Sequence, residues 1–144
     1  MGERAVGSHG APAASAVGLV VGVVAAAMLG AAIRRSARLR EIASPAQRLF
    51  ANAGDGVSIA FVLISAVAEE LFFRLAVQDA FGLFGSVAAY VLLNSTVGGI
   101  RWLLFTLVHA LALGSIVHFG FGLLGSTTAH AILNYLSLHR MQDS

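Results

Sequence analysis

The sequence predicts an all-α protein, a polytopic bundle of about five transmembrane helices. Of its 144 residues, 58% are hydrophobic and only 11% are charged, and the mean hydropathy is +0.84. A soluble domain carries about 25% charged and 45–50% apolar residues, so this composition indicates an integral membrane protein. The apolar residues come in long runs rather than in the alternation typical of β-strands, which argues against an outer-membrane barrel.

The first predicted span covers residues 14–33 and follows a tail at 1–13. The run supplies the ~20 apolar residues that cross a bilayer. It is longer than the apolar part of a cleaved signal peptide, and its positive charges follow it rather than precede it. We therefore expect a retained helix. Gly18 and Gly22 lie four residues apart, a spacing that lets a neighbouring helix approach closely.

An arginine-rich connector is predicted at residues 34–56, with breakers at Pro45, Asn52 and Gly54. Five of the nine basic residues of the chain lie in it, Arg34, Arg35, Arg38, Arg40 and Arg48. Positive residues favour the cytoplasmic side, so we place the connector there. Alternation of the spans then puts Arg101 and Arg140 on the same side, as in a multi-pass protein of the inner cell membrane.

Four further spans are predicted within a single helical core at residues 57–138, which is followed by a tail at 139–144. The second span is expected at 57–78, the third at 83–97, the fourth at 102–119, and the last ends near residue 138. Glycines separate them, because glycine interrupts helices and marks turns. The expected breaks are Gly82, Gly98, Gly99, and a turn marked by Gly120, Gly122 and Gly125.

Two adjacent glutamates, Glu69 and Glu70, stand inside the second span. A charged side chain at the centre of a membrane helix costs roughly 2.5–3.5 kcal/mol on insertion scales, so such residues face a protein interior or a water-filled cavity. Arg74 shares a helix face with Glu70 and can pair with it, either within an active site or as an ion pair that holds helices in register. Glu69 projects about 100° away. Two carboxylates this close do not both ionise easily, which favours general-base chemistry.

Polar side chains in the later spans could face these carboxylates. His130 and Asn134 lie four residues apart on one helix face, where they can polarise a carbonyl oxygen, position a water, or bond two helices together. His109 lies in the fourth span as part of Phe105-Thr-Leu-Val-His109. Asn94 lies near the end of the third span beside Ser95 and Thr96, where helix capping is the simpler explanation. His118, near a helix end, is interpreted as structural.

Other kinds of site receive less support from the sequence. Glu70, His109 and His130 could ligate a zinc ion, but the chain has no His-Glu-x-x-His helix. It has no cysteine, which excludes disulfides and thiolate ligands. Ser58, Ser65 and Ser86 lack the Gly-x-Ser-x-Gly setting of a serine nucleophile. Because the arginines cluster in one connector, we expect the membrane lipid, and not a nucleic acid, as partner.

The assembled motifs resemble the CPBP family of glutamate-dependent intramembrane proteases, which includes the CAAX proteases and bacteriocin-processing (Abi) enzymes. The family's first motif, Glu-Glu-x-x-x-Arg, stands here as Glu69-Glu70-Leu-Phe-Phe-Arg74. Its last motif, His-x-x-x-Asn, stands as His130-Ala-Ile-Leu-Asn134. The resemblance covers roughly residues 57–138 of a chain that is short for the family. It implies a peptidase without a cofactor, acting on a peptide or protein that is lipidated or carries a membrane-anchoring segment.

The middle motif of the family, Phe-x-x-x-His, is divergent in this chain. Phe105 and His109 match it literally, but His109 lies only 21 residues before His130, without room for the helix that relatives place between them. By distance from the glutamates, the expected position is Tyr90-Val-Leu-Leu-Asn94, where asparagine replaces histidine. Either His109 or Asn94 could therefore complete the site.

The resemblance also implies roles for these residues. Glu69 or Glu70 would activate a water, and Arg74 would orient the carboxylates. His130, Asn134 and the middle-motif residue would stabilise the oxyanion. Two other hypotheses remain open. One is a catalytically inactive relative that serves as a membrane immunity or binding module, and the other is a metal-dependent membrane hydrolase.

Overall fold

The computed structural model describes residues 5–37, 39–41, 55–94 and 99–142 of the chain. These residues form five α-helices and one π-helical segment and contain no strand, which confirms the all-α prediction. In chain order the elements are α1 (Gly10–Arg35), α2 (Asp55–Glu70), the π segment (Leu71–Val77), α3 (Gln78–Asn94), α4 (Gly99–His118) and α5 (Gly122–Gln142). Most of the arginine-rich connector lies outside the described residues, as do Arg38, Ser95, Thr96 and Gly98.

Three helical stretches among the described residues are long and apolar enough to cross a membrane. They are Gly10–Arg35, the 39-residue stretch Gly56–Asn94, and Gly99–His118. The 39-residue stretch would be about 58 Å long if it were straight, roughly twice the ~30 Å thickness of the hydrocarbon core. It therefore has to reverse direction within or beside the membrane.

The reversal occurs at Gly82, where the sequence predicts a break. This glycine has φ 71° and ψ −179° inside an otherwise helical run, a conformation that residues with a Cβ rarely adopt. After the break the chain folds back on itself. A contact that shows this is the hydrogen bond from the Ser86 hydroxyl to the carbonyl of Phe73, thirteen residues earlier, at 2.8 Å. The second and third predicted spans thus form a helical hairpin.

The turn between α4 and α5 agrees only in part with the prediction that Gly120, Gly122 and Gly125 mark it. Gly120 and Gly122 have positive φ and connect α4 to α5. Gly125 differs from the prediction, since it lies within α5 and packs against α1. A Cβ there would lie 2.7 Å from the Ile116 side chain of α4 and 3.2 Å from the Ala14 carbonyl oxygen of α1, so this glycine serves helix packing rather than the turn.

The predicted close approach at Gly18 and Gly22 is confirmed. A Cβ on Gly18 would lie 2.4 Å from the carbonyl oxygen of Gly125, and one on Gly22 would lie 2.6 Å from that of Ala129. Small residues therefore let the backbones of α1 and α5 touch, the usual way in which membrane helices associate. α5 also packs against α2 and α4, so it is the central helix that carries His130 to the glutamates.

Candidate active site

Glu70 is fully buried and paired on both carboxylate oxygens. Oε2 accepts a hydrogen bond from Arg74 Nε at 3.2 Å, one turn along the same chain, which confirms the predicted pair. Oε1 lies 3.0 Å from His130 Nδ1 on α5. An ionised carboxylate can only accept hydrogen bonds, so the contact with His130 requires a proton on Nδ1. Glu70 thereby fixes both Arg74 and the orientation of the imidazole.

Arg74 is held from its other side by the hairpin partner. Its Nη1 donates to the Ser86 hydroxyl at 2.9 Å, and the same hydroxyl donates to the Phe73 carbonyl. Its Nη2 has no partner within the described part of the chain. The guanidinium carbon also lies 5.7 Å from the ring centre of Tyr90, within the range of a cation–π contact. The charge of Arg74 is thus neutralised by Glu70 and kept away from lipid.

The π segment directly follows the glutamates. At the end of this segment the backbone N–H of Gln78 donates to the carbonyl of Phe73, a bond that spans five residues instead of the four of an α-helix. The Gln78 side chain donates to the Gly114 carbonyl of α4 at 3.0 Å. π turns are rare in proteins, and those that do occur are frequently found at functional sites. Here the wider turn coincides with the point where the hairpin and α4 meet behind Glu70.

Glu69 lies in a different environment from its neighbour. Its side chain is 38% exposed and lines a cavity of about 360 Å³, which we call the glutamate cavity. The polar residues in the wall of this cavity are Ser65, Glu69, Tyr90, Asn94, Trp102, Thr106, His109, His130, Asn134 and Ser137. The remaining wall is apolar. A carboxylate that opens onto a confined and mostly apolar cavity can accept a proton from a water held there.

His130 stands between the two glutamates. While Nδ1 contacts Glu70, Nε2 lies 3.9 Å from Glu69 Oε2, too far for a direct hydrogen bond. With the proton on Nδ1, Nε2 of a neutral ring is a bare acceptor that faces the cavity. His130 and Asn134 both line this cavity, so the structure brings the last motif to the first.

His109 lies beside His130 in the same wall. The two rings meet edge to face with centres 5.1 Å apart, and Phe105 stacks on the other face of His109 with 5° between the ring planes. His109 is buried, and its Nε2 has no hydrogen-bond partner within the described chain. The Phe-x-x-x-His spacing therefore builds a stacked pair on α4 that lines the site.

Asn94 lines the same cavity but is already engaged by its own helix. Its side-chain amide donates to the Tyr90 carbonyl at 2.9 Å, and its backbone carbonyl accepts from Trp102 Nε1 at 2.8 Å. Both middle-motif candidates are thus in the wall, and His109 is the one whose ring contacts His130. His118 is exposed at the end of α4, away from the cavity, consistent with its structural interpretation.

Two residues of the site were not singled out from the sequence. Tyr90 is buried, lines the cavity, shares a hydrogen bond with the side chain of Glu69, and packs against Phe73 and His109. Ser86 anchors Arg74. Both lie on α3, and the signal that could have found them is their four-residue spacing within an apolar helix, which places Ser86, Tyr90 and Asn94 on one face.

The residues that could ligate a zinc ion, according to the sequence, do not form an obvious metal centre. No group of three or more histidine, aspartate or glutamate side chains in the described ranges is arranged to hold a metal ion. Glu70, His109 and His130 do lie near one another, but both oxygens of Glu70 are occupied by Arg74 and His130. Metal binding there would require that these contacts break.

Comparisons with known proteins do not identify a family for this chain. No protein-family model matches it, and no curated protein and no solved structure matches it either. The geometry of the site and the two motifs are therefore the basis for a functional assignment.

Proposed function

We propose that this chain is an intramembrane endopeptidase of the CPBP type, which hydrolyses a peptide bond of a membrane-associated substrate with a glutamate-activated water. The observation that carries the proposal is the difference in environment between the two glutamates. Glu70 is buried and fully paired, whereas Glu69 opens onto a cavity that also contains histidine, asparagine and tyrosine side chains. One carboxylate is structural and the other is free to accept a proton.

In this mechanism Glu69 removes a proton from a water in the glutamate cavity, and the resulting hydroxide attacks the peptide carbonyl. The proton then moves to the leaving amine, either from Glu69 or by way of His130 Nε2. Glu70 acts on His130 much as a carboxylate orients a catalytic histidine in other hydrolases. It fixes the tautomer and stabilises the imidazolium that forms.

The developing oxyanion needs hydrogen-bond donors opposite Glu69. The side-chain amide of Asn134 lies in the cavity wall, and the Asn94 amide there has one N–H left besides the one that it donates to the Tyr90 carbonyl. His109 adds a buried nitrogen without a partner. His130 can donate from Nε2 only when the ring is doubly protonated, so its support of the oxyanion follows proton transfer rather than precedes it.

The apolar part of the cavity wall suits a substrate that arrives within the membrane. Leu29, Ile33 and Leu133 line it beside the polar residues, and such surroundings favour an apolar peptide over a highly charged one. We infer a peptide or protein substrate that is lipidated or carries a membrane-anchoring segment. The arginine-rich connector would lie in the cytoplasm, with the chain as a multi-pass protein of the cell membrane.

The experiment that tests the proposal maps new protein ends in membranes. Cells expressing the wild-type chain are compared with cells expressing Glu69→Gln, and the amino termini of all membrane proteins are labelled chemically and identified by mass spectrometry. We expect a set of termini that the wild-type chain generates and the variant does not. Phe84→Ala serves as a matched control, because Phe84 is 79% exposed and does not line the glutamate cavity.

Two outcomes would overturn the proposal. Identical termini from the wild type and from Glu69→Gln, at equal amounts of folded protein, would contradict a glutamate-dependent protease. If a membrane peptide instead crosslinks equally to both forms and no terminus depends on Glu69, the chain is an inactive binding module.

A further inference from the structure

A second cavity lies between α1 and α4, on the outer surface of the bundle. It has a volume of about 410 Å³ and is lined by twelve residues, of which only Arg101 and His109 are polar. The apolar wall is open to the surroundings, since Val20, Val24, Met28, Leu104 and Val108 are each about half exposed. We call this cavity the α1–α4 groove.

The groove has the length of one membrane leaflet. One end is formed by Ala32 and Arg101 and the other by Val20 and Ala112. At 1.5 Å per helical residue these spans are about 16–18 Å long. One leaflet contributes about half of the ~30 Å hydrocarbon core. A single acyl chain that runs along the helices would therefore fill the groove from end to end.

The ends of the groove differ in charge. Arg101 lines one end directly. Arg34 and Arg35 are exposed in the last turn of α1, directly after Ala32 at that same end. Positive charges at this position attract the phosphates of anionic lipids, and basic pockets between membrane helices are known sites for such head groups. The opposite end is apolar, with Val20, Val21 and Ala112.

The chemistry of the groove suits a lipid chain. Apart from His109 its wall is apolar along its length, and a charged residue, Arg101, stands at one end only, which matches an acyl chain with a phosphate at its end. We propose that the α1–α4 groove binds one acyl chain of an anionic phospholipid, whose phosphate rests on Arg101 at the arginine-rich end of α1.

Such a lipid would also form part of the wall behind the candidate active site. Phe105 and His109 line both the groove and the glutamate cavity. A chain in the groove therefore packs against the outer side of two residues that also line the glutamate cavity. The lipid site itself does not depend on the proposed peptidase function, because it rests on the shape and charge of the groove alone.

The test uses the purified full-length chain in bilayer nanodiscs with spin-labelled lipids. The immobilised fraction of labelled phosphatidylglycerol is compared with that of labelled phosphatidylcholine by electron paramagnetic resonance. We expect about a fivefold preference for phosphatidylglycerol, the factor that corresponds to about 1 kcal/mol for one arginine near the membrane surface. Arg101→Gln should remove this preference, and Arg101→Lys should retain most of it.

A variant that fills the groove with a larger side chain provides a second and independent part of the test. Val108→Trp should reduce the immobilised fraction of both lipids, whereas Leu92→Trp should leave it unchanged, because Leu92 is 72% exposed and lies outside the groove. Ala112→Leu replaces Val108→Trp if circular dichroism shows loss of helix. Equal immobilisation of the two lipids by the wild-type chain would overturn the proposal. So would an equal effect of Leu92→Trp and Val108→Trp.

Discussion

The two sides of the glutamate pair differ sharply, although the residues are adjacent in the chain. On the Glu70 side, Arg74, Ser86 and His130 form a buried network in which both carboxylate oxygens are paired. On the Glu69 side, the side chain is 38% exposed and lines a cavity of about 360 Å³. The helix itself produces this contrast, because successive residues point about 100° apart.

The difference teaches how a membrane helix can keep one carboxylate available for chemistry. Arg74 would neutralise Glu69 if it were free to approach, but it is bound by Glu70 and Ser86 instead. The closed side therefore has a structural task, and we propose that it permits a catalytic task on the open side. Variants on the two sides should then fail in different ways.

The largest effect on stability is expected on the closed side. Glu70→Ala leaves Arg74 buried without its counter-charge and releases His130, and breaking a buried pair in this way costs about 3–5 kcal/mol. The midpoint of thermal unfolding in detergent should fall, and cleavage should be lost with it. The double variant Glu70→Ala/Arg74→Leu, which removes both charges, should recover part of the stability but none of the activity. A wild-type midpoint in Glu70→Ala alone would contradict the assigned role.

The next effect separates the two middle-motif residues on the open side. His109→Phe keeps the stacked ring but removes the buried nitrogen, and loss of one oxyanion donor costs about 10²–10³ in rate. Asn94→Ala should cost only about fivefold, the equivalent of one neutral hydrogen bond of about 1 kcal/mol, because that amide is already bound to the Tyr90 carbonyl. Cleavage rates at equal folded concentration measure both. The opposite order would make Asn94 the residue that completes the site.

A smaller effect is expected at the helix contact that positions His130. Gly22→Val places side-chain atoms against the Ala129 carbonyl of α5, and overpacking of this kind costs about 1–3 kcal/mol. Gly56→Val is the matched control, since a Cβ at Gly56 meets no atom within 4 Å. Unfolding midpoints of the two variants should differ clearly. Equal midpoints would show that α1 and α5 do not pack through Gly22.

A small effect on the cleavage rate is expected at Ser86, together with a moderate loss of stability. Ser86→Ala removes the hydroxyl between Arg74 and the Phe73 carbonyl, and a buried group that loses its partner costs about 1–3 kcal/mol. Glu69 should keep its cavity, so the cleavage rate per folded molecule should change much less than in His109→Phe. Unfolding and cleavage are measured on the same preparation. A rate loss as large as that of His109→Phe would place Ser86 in the chemistry rather than behind Arg74.

Local rules of sequence predicted much of this structure. The length of the apolar runs predicted the helices, and Gly82 predicted the break at which the chain reverses. Four-residue spacing predicted the Glu70–Arg74 pair and the common helix face of His130 and Asn134. Each of these depends on residues close together in the chain. The close approach at Gly18 and Gly22 was also predictable, because the spacing of small residues reports it directly.

Features that depend on the arrangement of different helices were not predictable in the same way. The position at which α5 packs determines which of the two glutamates lines the cavity. That position depends on several helices, so it cannot be predicted from one segment of the sequence. Tyr90 and Ser86 look like ordinary apolar-helix residues until the hairpin folds them onto Arg74. Gly125 looks like a turn residue in the sequence, because the atoms that a Cβ there would meet include Ile116 of α4 and Ala14 of α1, which lie on other helices.

The central claim is that Glu69 performs the chemistry while Glu70 holds the site together, and one paired measurement tests it most directly. Glu69→Gln and Glu70→Gln are purified in the same detergent, and each is assayed for its unfolding midpoint and for cleavage of a substrate found by terminus mapping. For Glu69→Gln we predict a midpoint close to the wild type and a rate about 10²–10⁴ lower, the contribution of a general base. Glu70→Gln should lose both stability and rate. A Glu69→Gln variant that cleaves at the wild-type rate would contradict the account.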